Sequence, residues 1–443
     1  MKKGKFDIGN LFLVTALCML VLGLCFGILA ATIYIFPEFL KQQLGFVSLR
    51  PLHVSSAIFW IILGSTGCVY NGLKEEITKP ITYTIAFAQW VLWIIALVGI
   101  LCCYLNKDFG GREYWEFNPV WALPIAGAWF LFLINVLGLL KKIKDWPVYL
   151  WMWLTGVLFF LFTFSENYLW VFPYFRNHFI TDMTIQWKVN GSLVGSWNQI
   201  LYGTAIFLMD KISNTKNAGR SKFAFAMYFL GLFNLLFNWS HHIYTLPTER
   251  YIRYIGYAVS MTEWVFFIKI VLDWKSTMSI VQQNYHYFPY RFLMATDIWV
   301  FMNMGQAILM SIPAINRYTH GTHVTVAHAM GTTIGINTMI LLAACFEFFD
   351  KKDKSKYANG LFWLLQISLL IFWLSLNAAG IQKGIWQLSS HQGSYSKMME
   401  SLRPYFIAFA CAGLGLLSAL CSFAIILINT YFKKPTQREV GIS

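Results

Sequence analysis

Twelve stretches of this chain are apolar for long enough to cross a bilayer, and that pattern constrains the fold before any single residue does. They run at roughly 11–36, 51–73, 80–104, 119–140, 147–165, 186–209, 223–246, 253–272, 291–314, 320–348, 359–378 and 404–432, close to or above the roughly 20 residues a helix needs to traverse hydrocarbon. Inside lipid each backbone N–H and C=O must be bonded within the protein, so such runs fold as helices. With 57% hydrophobic residues, 18% aromatic and only 12% charged, the chain is too apolar for a soluble globular protein. The expectation is an all-α integral membrane protein, a bundle of twelve transmembrane helices. No soluble domain, long linker, low-complexity tract or internal repeat interrupts it, so residues 1–443 read as one domain.

The net charge of +14 could suggest nucleic acid, but its distribution argues against that. Lys2, Lys3 and Lys5, Lys141, Lys142 and Lys144, Lys211, Lys216, Arg220 and Lys222, Lys351, Lys352, Lys354 and Lys356, and finally Lys433, Lys434 and Arg438 fall in alternate loops and at both ends. Basic residues collect on the cytoplasmic side of membrane proteins, which predicts both termini in the cytoplasm and makes the basic surplus topological. No cleavage signal closes the first apolar run, so Leu11–Phe36 is expected to be a retained span. The eight cysteines all sit in apolar runs and no Cys-x-x-Cys-His occurs, so neither disulfides nor a covalently attached heme c is expected.

The stretch from Tyr318 to Met330 contains three of the nine histidines and opens the tenth apolar run. Residues two apart on a helix point about 200° apart, so His328 and Met330 cannot share one metal but can each serve a different one on opposite faces. A histidine satisfied within the core is the plain alternative; within a bilayer, an ionisable residue is functional by default. His53, Asn190, His241 and His242, and His328 come from four separate spans and converge at one depth near the external face. A redox cofactor cluster explains that convergence. Imidazole suits iron, copper and zinc. Adjacent histidines on a regular helix diverge by about 100°, so His241 and His242 share a metal only if the helix ends or loosens there, as Pro247 suggests; an interfacial pair is the alternative. Glu113 and Glu116, near Arg112, are hard oxygen ligands suited to calcium or to salt bridges, unless the loop is simply solvated. Glu263 lies deep in an apolar span, where an unpaired carboxylate is expensive; it suits either proton relay or a structural hydrogen bond.

Together these motifs resemble the heme–copper oxidase superfamily, and within it the large, heme-bearing subunit of bacterial nitric oxide reductase, over almost the whole chain. The resemblance implies that His53 of Leu49-Arg-Pro-Leu-His53 ligates a low-spin heme b and that His328, after Tyr318-Thr-His-Gly-Thr322, is the proximal ligand of a high-spin heme b. It implies that Glu113 and Glu116 of Gly111-Arg-Glu-Tyr-Trp-Glu116 serve a calcium ion bridging to heme propionates beside Arg112. It assigns His241 and His242 of Ser240-His-His242 to a non-heme metal, iron or another, and Glu263 to the active site. A bacterial cytoplasmic membrane, a cytochrome c subunit or soluble cytochrome c donor (or a quinol), and NO as substrate follow from the same resemblance.

The chain also departs from the family. Asn190 stands where the family keeps a third metal-ligating histidine, Val194 and Asn198 stand where it keeps glutamates, and Met330 replaces the second axial histidine of the low-spin heme. Thioether ligation raises a heme's potential relative to bis-histidine ligation. Val194 also stands where many oxygen-reducing relatives carry a tyrosine, which argues against a proton-pumping oxidase. Three readings follow: an NO-reductase-like enzyme with electrons entering through the low-spin heme, an NO-dismutase-like enzyme turning two NO into N2 and O2, and a non-catalytic heme sensor or electron-transfer protein.

Overall fold

The computed structural model describes residues 7–237, 242–261, 264–350, 352, 354–389 and 393–433, and its helices follow the apolar runs in order. First come α1 (Ile8–Ile35), α2 (Phe46–Gly72) and α3 (Pro80–Leu105). An antiparallel hairpin of β1 (Phe109–Arg112) and β2 (Trp115–Phe117) separates them from α4 (Ala122–Leu140) and α5 (Val148–Asn167). Then follow α6 (Phe179–Ser213), α7 (Lys222–Phe237), α8 (Arg250–Ser260), α9 (Trp264–Thr277) and α10 (Tyr287–Ser311). The next span is composite: α11 (His323–Met330), a π-helical stretch Gly331–Thr338, and α12 (Met339–Phe348). The last two are α13 (Lys356–Leu388) and α14 (Tyr395–Lys433).

Among the described residues, nine helices are long and apolar enough to cross a membrane on those criteria alone. The other three expected spans also fall on helices. The run 186–209 lies within α6, which is 35 residues long but carries Lys188, Asn190 and Asn198 and so is less apolar. The run 223–246 begins as α7, described as helix only to Phe237, and by His242 the backbone is a 3-10 turn. The run 253–272 is shared between α8 and α9. The protein is a multi-pass integral membrane protein.

Helices in lipid associate by close packing of small residues, because lipid offers no hydrophobic drive between them. On α1 a Cβ at Gly9 would come within 2.7 Å of the Asn71 side chain, and on α2 a Cβ at Gly67 would come within 2.8 Å of the Gly9 carbonyl. Large aromatics fill the interior, and the indole N–H groups of Trp60, Trp129 and Trp153, all almost fully buried, find partners at the Thr338 hydroxyl, the Val157 carbonyl and the Ile200 carbonyl. A dry interior demands this of an N–H donor.

The composite span does not run unbroken from 320 as the apolar pattern suggests. A short helix, Pro313–Thr319, ends first; Gly321 then takes the left-handed φ of 70°, which a side chain would resist. Thr322 caps the new helix, its hydroxyl accepting from the Val324 N–H at 3.2 Å. This turn lies against the backbone of α13. A Cβ at Gly380 would sit 2.2 Å from the Val324 nitrogen, and one at Gly384 would sit 1.9 Å from the Tyr318 carbonyl oxygen. Gly384→Leu should therefore lower stability by about 1–3 kcal/mol through overpacking, read as a drop in the melting temperature of the detergent-solubilised protein. Gly360→Leu, where a Cβ meets nothing within 4 Å, should leave it unchanged; equal melting temperatures for the two variants would show that the Gly384 contact is not tight.

Candidate heme and metal site

His53 is the eighth residue of α2, just past Pro51, which lies within the helix and removes one backbone donor there. Its imidazole is directed at α1, where Nδ1 lies 2.7 Å from the Gly23 carbonyl oxygen. A carbonyl can only accept, so Nδ1 carries the proton and Nε2 keeps its lone pair. Metal-ligating histidines are held in this way, the outer nitrogen bonded to a carbonyl while the inner one faces the metal. Gly27 completes the cradle: a Cβ there would come within 2.7 Å of His53 Nδ1. The donor nitrogen left over by this arrangement fits a heme iron.

His328 and Met330 are both half-buried near the end of α11. His328 lies close to the main chain of Asn303, and its Nδ1 is buried without a hydrogen-bond partner. The helix carrying it is fastened to α10. From α10, the Gln306 amide donates to the Val324 carbonyl at 3.2 Å and to Asn377 of α13 at 2.7 Å, while the Asn303 amide donates to Thr332 Oγ1 at 2.7 Å. Gly331 and Gly335 let α10 approach: a Cβ at the first would lie 2.2 Å from Asn303 Oδ1, and at the second 2.6 Å from the Trp299 ring. π-helical turns recur at functional sites, and here one begins directly after Met330.

His242 lies within electrostatic reach of both His328 and His320, so the backbone after α7 and the start of the composite span bring their histidines to the same region. Its 3-10 backbone meets the condition that the helix loosen before adjacent imidazoles converge. His241 and Glu263 fall outside the described residues. On α6, Asn190 and Asn198 are half-buried, and each has a side-chain oxygen that is buried without a hydrogen-bond partner; Val194 lies between them. Among the described residues no three of His, Cys, Asp and Glu come together as a metal cluster. An amide oxygen left unpaired is a hard, neutral donor that one imidazole leaves room for.

The hairpin places Glu113 and Glu116 side by side, but the cation between them is Arg50, not Arg112. Arg50 donates to Glu113 at 2.8 Å and to Glu116 at 2.5 Å, three residues before His53 in the same motif. Arg112 instead pairs with Asp182 at 2.7 Å, at the start of α6, and lies over the Trp170 ring. A third pair, Lys188 with Glu166, joins α6 to α5. The sequence pattern did not single out Arg50, Asp182, Glu166 or Lys188; the available signal was charge placed inside or beside an apolar run. One oxygen of Glu116 is buried without a partner, which leaves a lone pair for a further cation, and the two carboxylates fit calcium in this respect. Burial pushes the Glu116 carboxyl above the usual carboxylate range, opposed by the Arg50 charge, so a cation there loses out to protons earlier on acidification than at a free carboxylate.

The profile of the family described as Cytochrome C and Quinol oxidase polypeptide I matches residues 7–415, and the chain belongs to this heme–copper oxidase family of heme-binding membrane oxidoreductases, which work with cytochrome c or quinol donors. It is 24% identical over 412 residues to a nitric oxide reductase subunit of Stutzerimonas stutzeri, covering 85% of this chain and 83% of that one. It is 24% identical over 456 residues to a cytochrome c oxidase subunit 1 homolog of Agrobacterium tumefaciens (strain T37), covering 96% and 83%. In fold it is similar to a heme-copper terminal oxidase dimer solved by cryo-EM, with a TM-score of 0.69 at 12% identity, over 98% of this chain and 85% of that one.

The cradle around His53 yields a direct test. Gly27→Leu should displace the imidazole from its position and cost one of the bound hemes, measured as heme per chain by pyridine hemochrome, with helical content by circular dichroism retained. Gly138→Leu, where a Cβ meets nothing within 4 Å, should keep full heme content. Unchanged heme content in the Gly27 variant would remove His53 from the ligand set.

Proposed function

We propose that this chain is a nitric-oxide-reductase-like oxidoreductase that handles NO between a high-spin heme on His328 and a non-heme metal held by His241, His242 and Asn190. His53 and Met330 would hold a low-spin heme b, which would supply the point of electron entry. The observation that carries this reading is the His53 Nδ1–Gly23 carbonyl bond, which commits the imidazole to present Nε2 as a ligand. The likeness to the nitric oxide reductase of Stutzerimonas stutzeri and the approach of His242 to His328 support the NO side of it. The hemes supply electron transfer and the binding of a diatomic ligand. The protein's part is to orient the imidazoles, to keep water from them with the surrounding aromatics, and to hold charge near the propionates with Glu113, Glu116, Arg50, Arg112 and a calcium ion. Glu263 would relay protons. The electron donor would be a cytochrome c subunit, a soluble cytochrome c or a quinol, at the cytoplasmic membrane of a bacterium, with both termini inside.

A second reading, NO dismutation, gains from one feature: the Asn190, Val194 and Asn198 face of α6 offers amide oxygens and a methyl surface in place of carboxylates that would deliver protons. Dismutation needs no net electrons or protons. Metal analysis and turnover separate the two. One iron beyond the hemes together with donor-dependent NO consumption supports reduction, whereas O2 release from NO without donor supports dismutation. Two hemes, no third metal and no turnover would sink both.

Two substitutions test the ligands. His328→Ala should abolish CO binding at the high-spin heme while the low-spin spectrum persists; retained CO binding would show that another residue is the proximal ligand. Met330→His should lower the low-spin heme's potential and remove thioether–iron charge-transfer absorption in the red, because sulfur ligation raises potential. An unchanged potential would take Met330 out of the site. Since His53 and His328 lie near the same, external end of their spans, protons consumed in NO turnover should come from outside; acidification of the exterior during turnover in vesicles would contradict the assigned topology.

A further inference from the structure

At the end of the bundle remote from His53 and His328, two basic loops border an open cleft of about 540 Å³ lined by Ile143, Asp145, Trp146, Trp151, Arg220 and Phe225. A smaller hollow of about 160 Å³ shares Ile143, Asp145 and Arg220 with it and adds Lys144 and Lys216. The lining is graded. Lys144, Lys216 and Arg220 stand on loops outside the helices, all exposed. Trp146 and Trp151 flank the start of α5, with ring centroids 4.8 Å apart, and Phe225 lies one turn inside α7. Trp at a span end marks headgroup depth, so the basic groups face the aqueous edge and Trp151, which is 42% exposed, and Phe225 reach toward hydrocarbon.

The loops that make this cleft are fastened to each other. The Val148 N–H donates to the Gly219 carbonyl at 2.7 Å, Arg220 donates to the Asp145 carbonyl at 3.1 Å, and the buried Asp210 carboxylate accepts from the Ala218 and Gly219 N–H groups at 2.9 and 3.0 Å. Asp145 takes the left-handed φ of 54° to turn the chain into the cleft. Two carboxylates face the three cations, Asp145 from the lining and Asp210 from behind, where the main chain engages both its oxygens; three cations against two anions leave the rim positive. We propose that this cleft binds one anionic phospholipid, its phosphate held by Lys144, Lys216 and Arg220 and an acyl chain laid along Trp151 and Phe225. Basic pockets between spans at the cytoplasmic face recognise anionic headgroups by this chemistry, and a soluble phosphate would not use the apolar half.

The test uses the full chain, loaded with its cofactors, in neutral detergent. Native mass spectrometry and thermal melting are followed as phosphatidylglycerol, phosphatidylcholine or inorganic phosphate is added. Phosphatidylglycerol should be retained at one molecule per chain and should raise the melting temperature, with neither effect from phosphatidylcholine. Lys144→Gln with Lys216→Gln, which leaves the Arg220–Asp145 contact intact, should weaken retention about thirtyfold, whereas Lys211→Gln with Lys222→Gln, on the same face outside the cleft, should not. Equal stabilisation by inorganic phosphate would overturn the lipid assignment, and equal losses from the two double variants, or equal retention of both lipids, would overturn the site.

Discussion

The approach of α1 to α2 underlies the arrangement at the histidine-bearing end of the bundle. Because Gly23 and Gly27 carry no side chains, the His53 ring can lie against the α1 backbone and donate its Nδ1 proton to the Gly23 carbonyl at 2.7 Å. A carbonyl within a helix already accepts one bond along the chain; its second lone pair accepts His53, so the imidazole is oriented without any polar side chain being buried for the purpose. In an apolar interior that economy matters, since each further polar group would need a partner of its own. Met330 and His328 are held differently, by amide side chains reaching from α10, one of them braced by Asn377 of α13, and by glycines that let α10 close in.

Around this end lie three ion pairs, Arg50 with Glu113 and Glu116, Arg112 with Asp182, and Lys188 with Glu166. Each joins elements distant in sequence, and together they tie the hairpin to α2 and to α6, and α6 to α5. Half-buried pairs of this kind add little stability once desolvation is counted, but losing one partner leaves an uncompensated charge. Their effect is to fix register: the hairpin cannot slide relative to the His53 motif without breaking two charge-assisted bonds at Arg50.

Much of this was legible in the sequence and some of it could not have been. The long spans were readable because hydrophobic length alone decides whether a segment crosses lipid, and α1 through α5 follow the expected runs closely. The runs at 223–246 and 253–272 were less so: by His242 the backbone is a 3-10 turn, and the second run is shared between α8 and α9. The histidines stood out as costly residues in apolar runs. Their second partners did not: a backbone carbonyl such as that of Gly23 has no signature, and Arg50, 63 positions from Glu113, was less obvious than the adjacent Arg112. The π-helical stretch was likewise hidden, since nothing in Gly331–Thr338 marks i→i+5 bonding and the close approach of Asn303 and Trp299 to Gly331 and Gly335 is a tertiary contact.

That widened stretch divides one span into two helices in series with a phase offset between them. An α-helix advances about 100° per residue, so any residue accommodated by i→i+5 bonding rotates everything before it relative to everything after it. Leu341 and Cys345 on α12 can therefore stay buried while the rotational phase of α11, which sets the opposite directions of His328 and Met330, is fixed independently. The lower half of the span acts as a fixed shaft and the upper half as a separately keyed collar. A one-residue insertion within Gly331–Thr338 would turn His328 and Met330 together by about 100° relative to α12, without disturbing the packing that anchors the lower half.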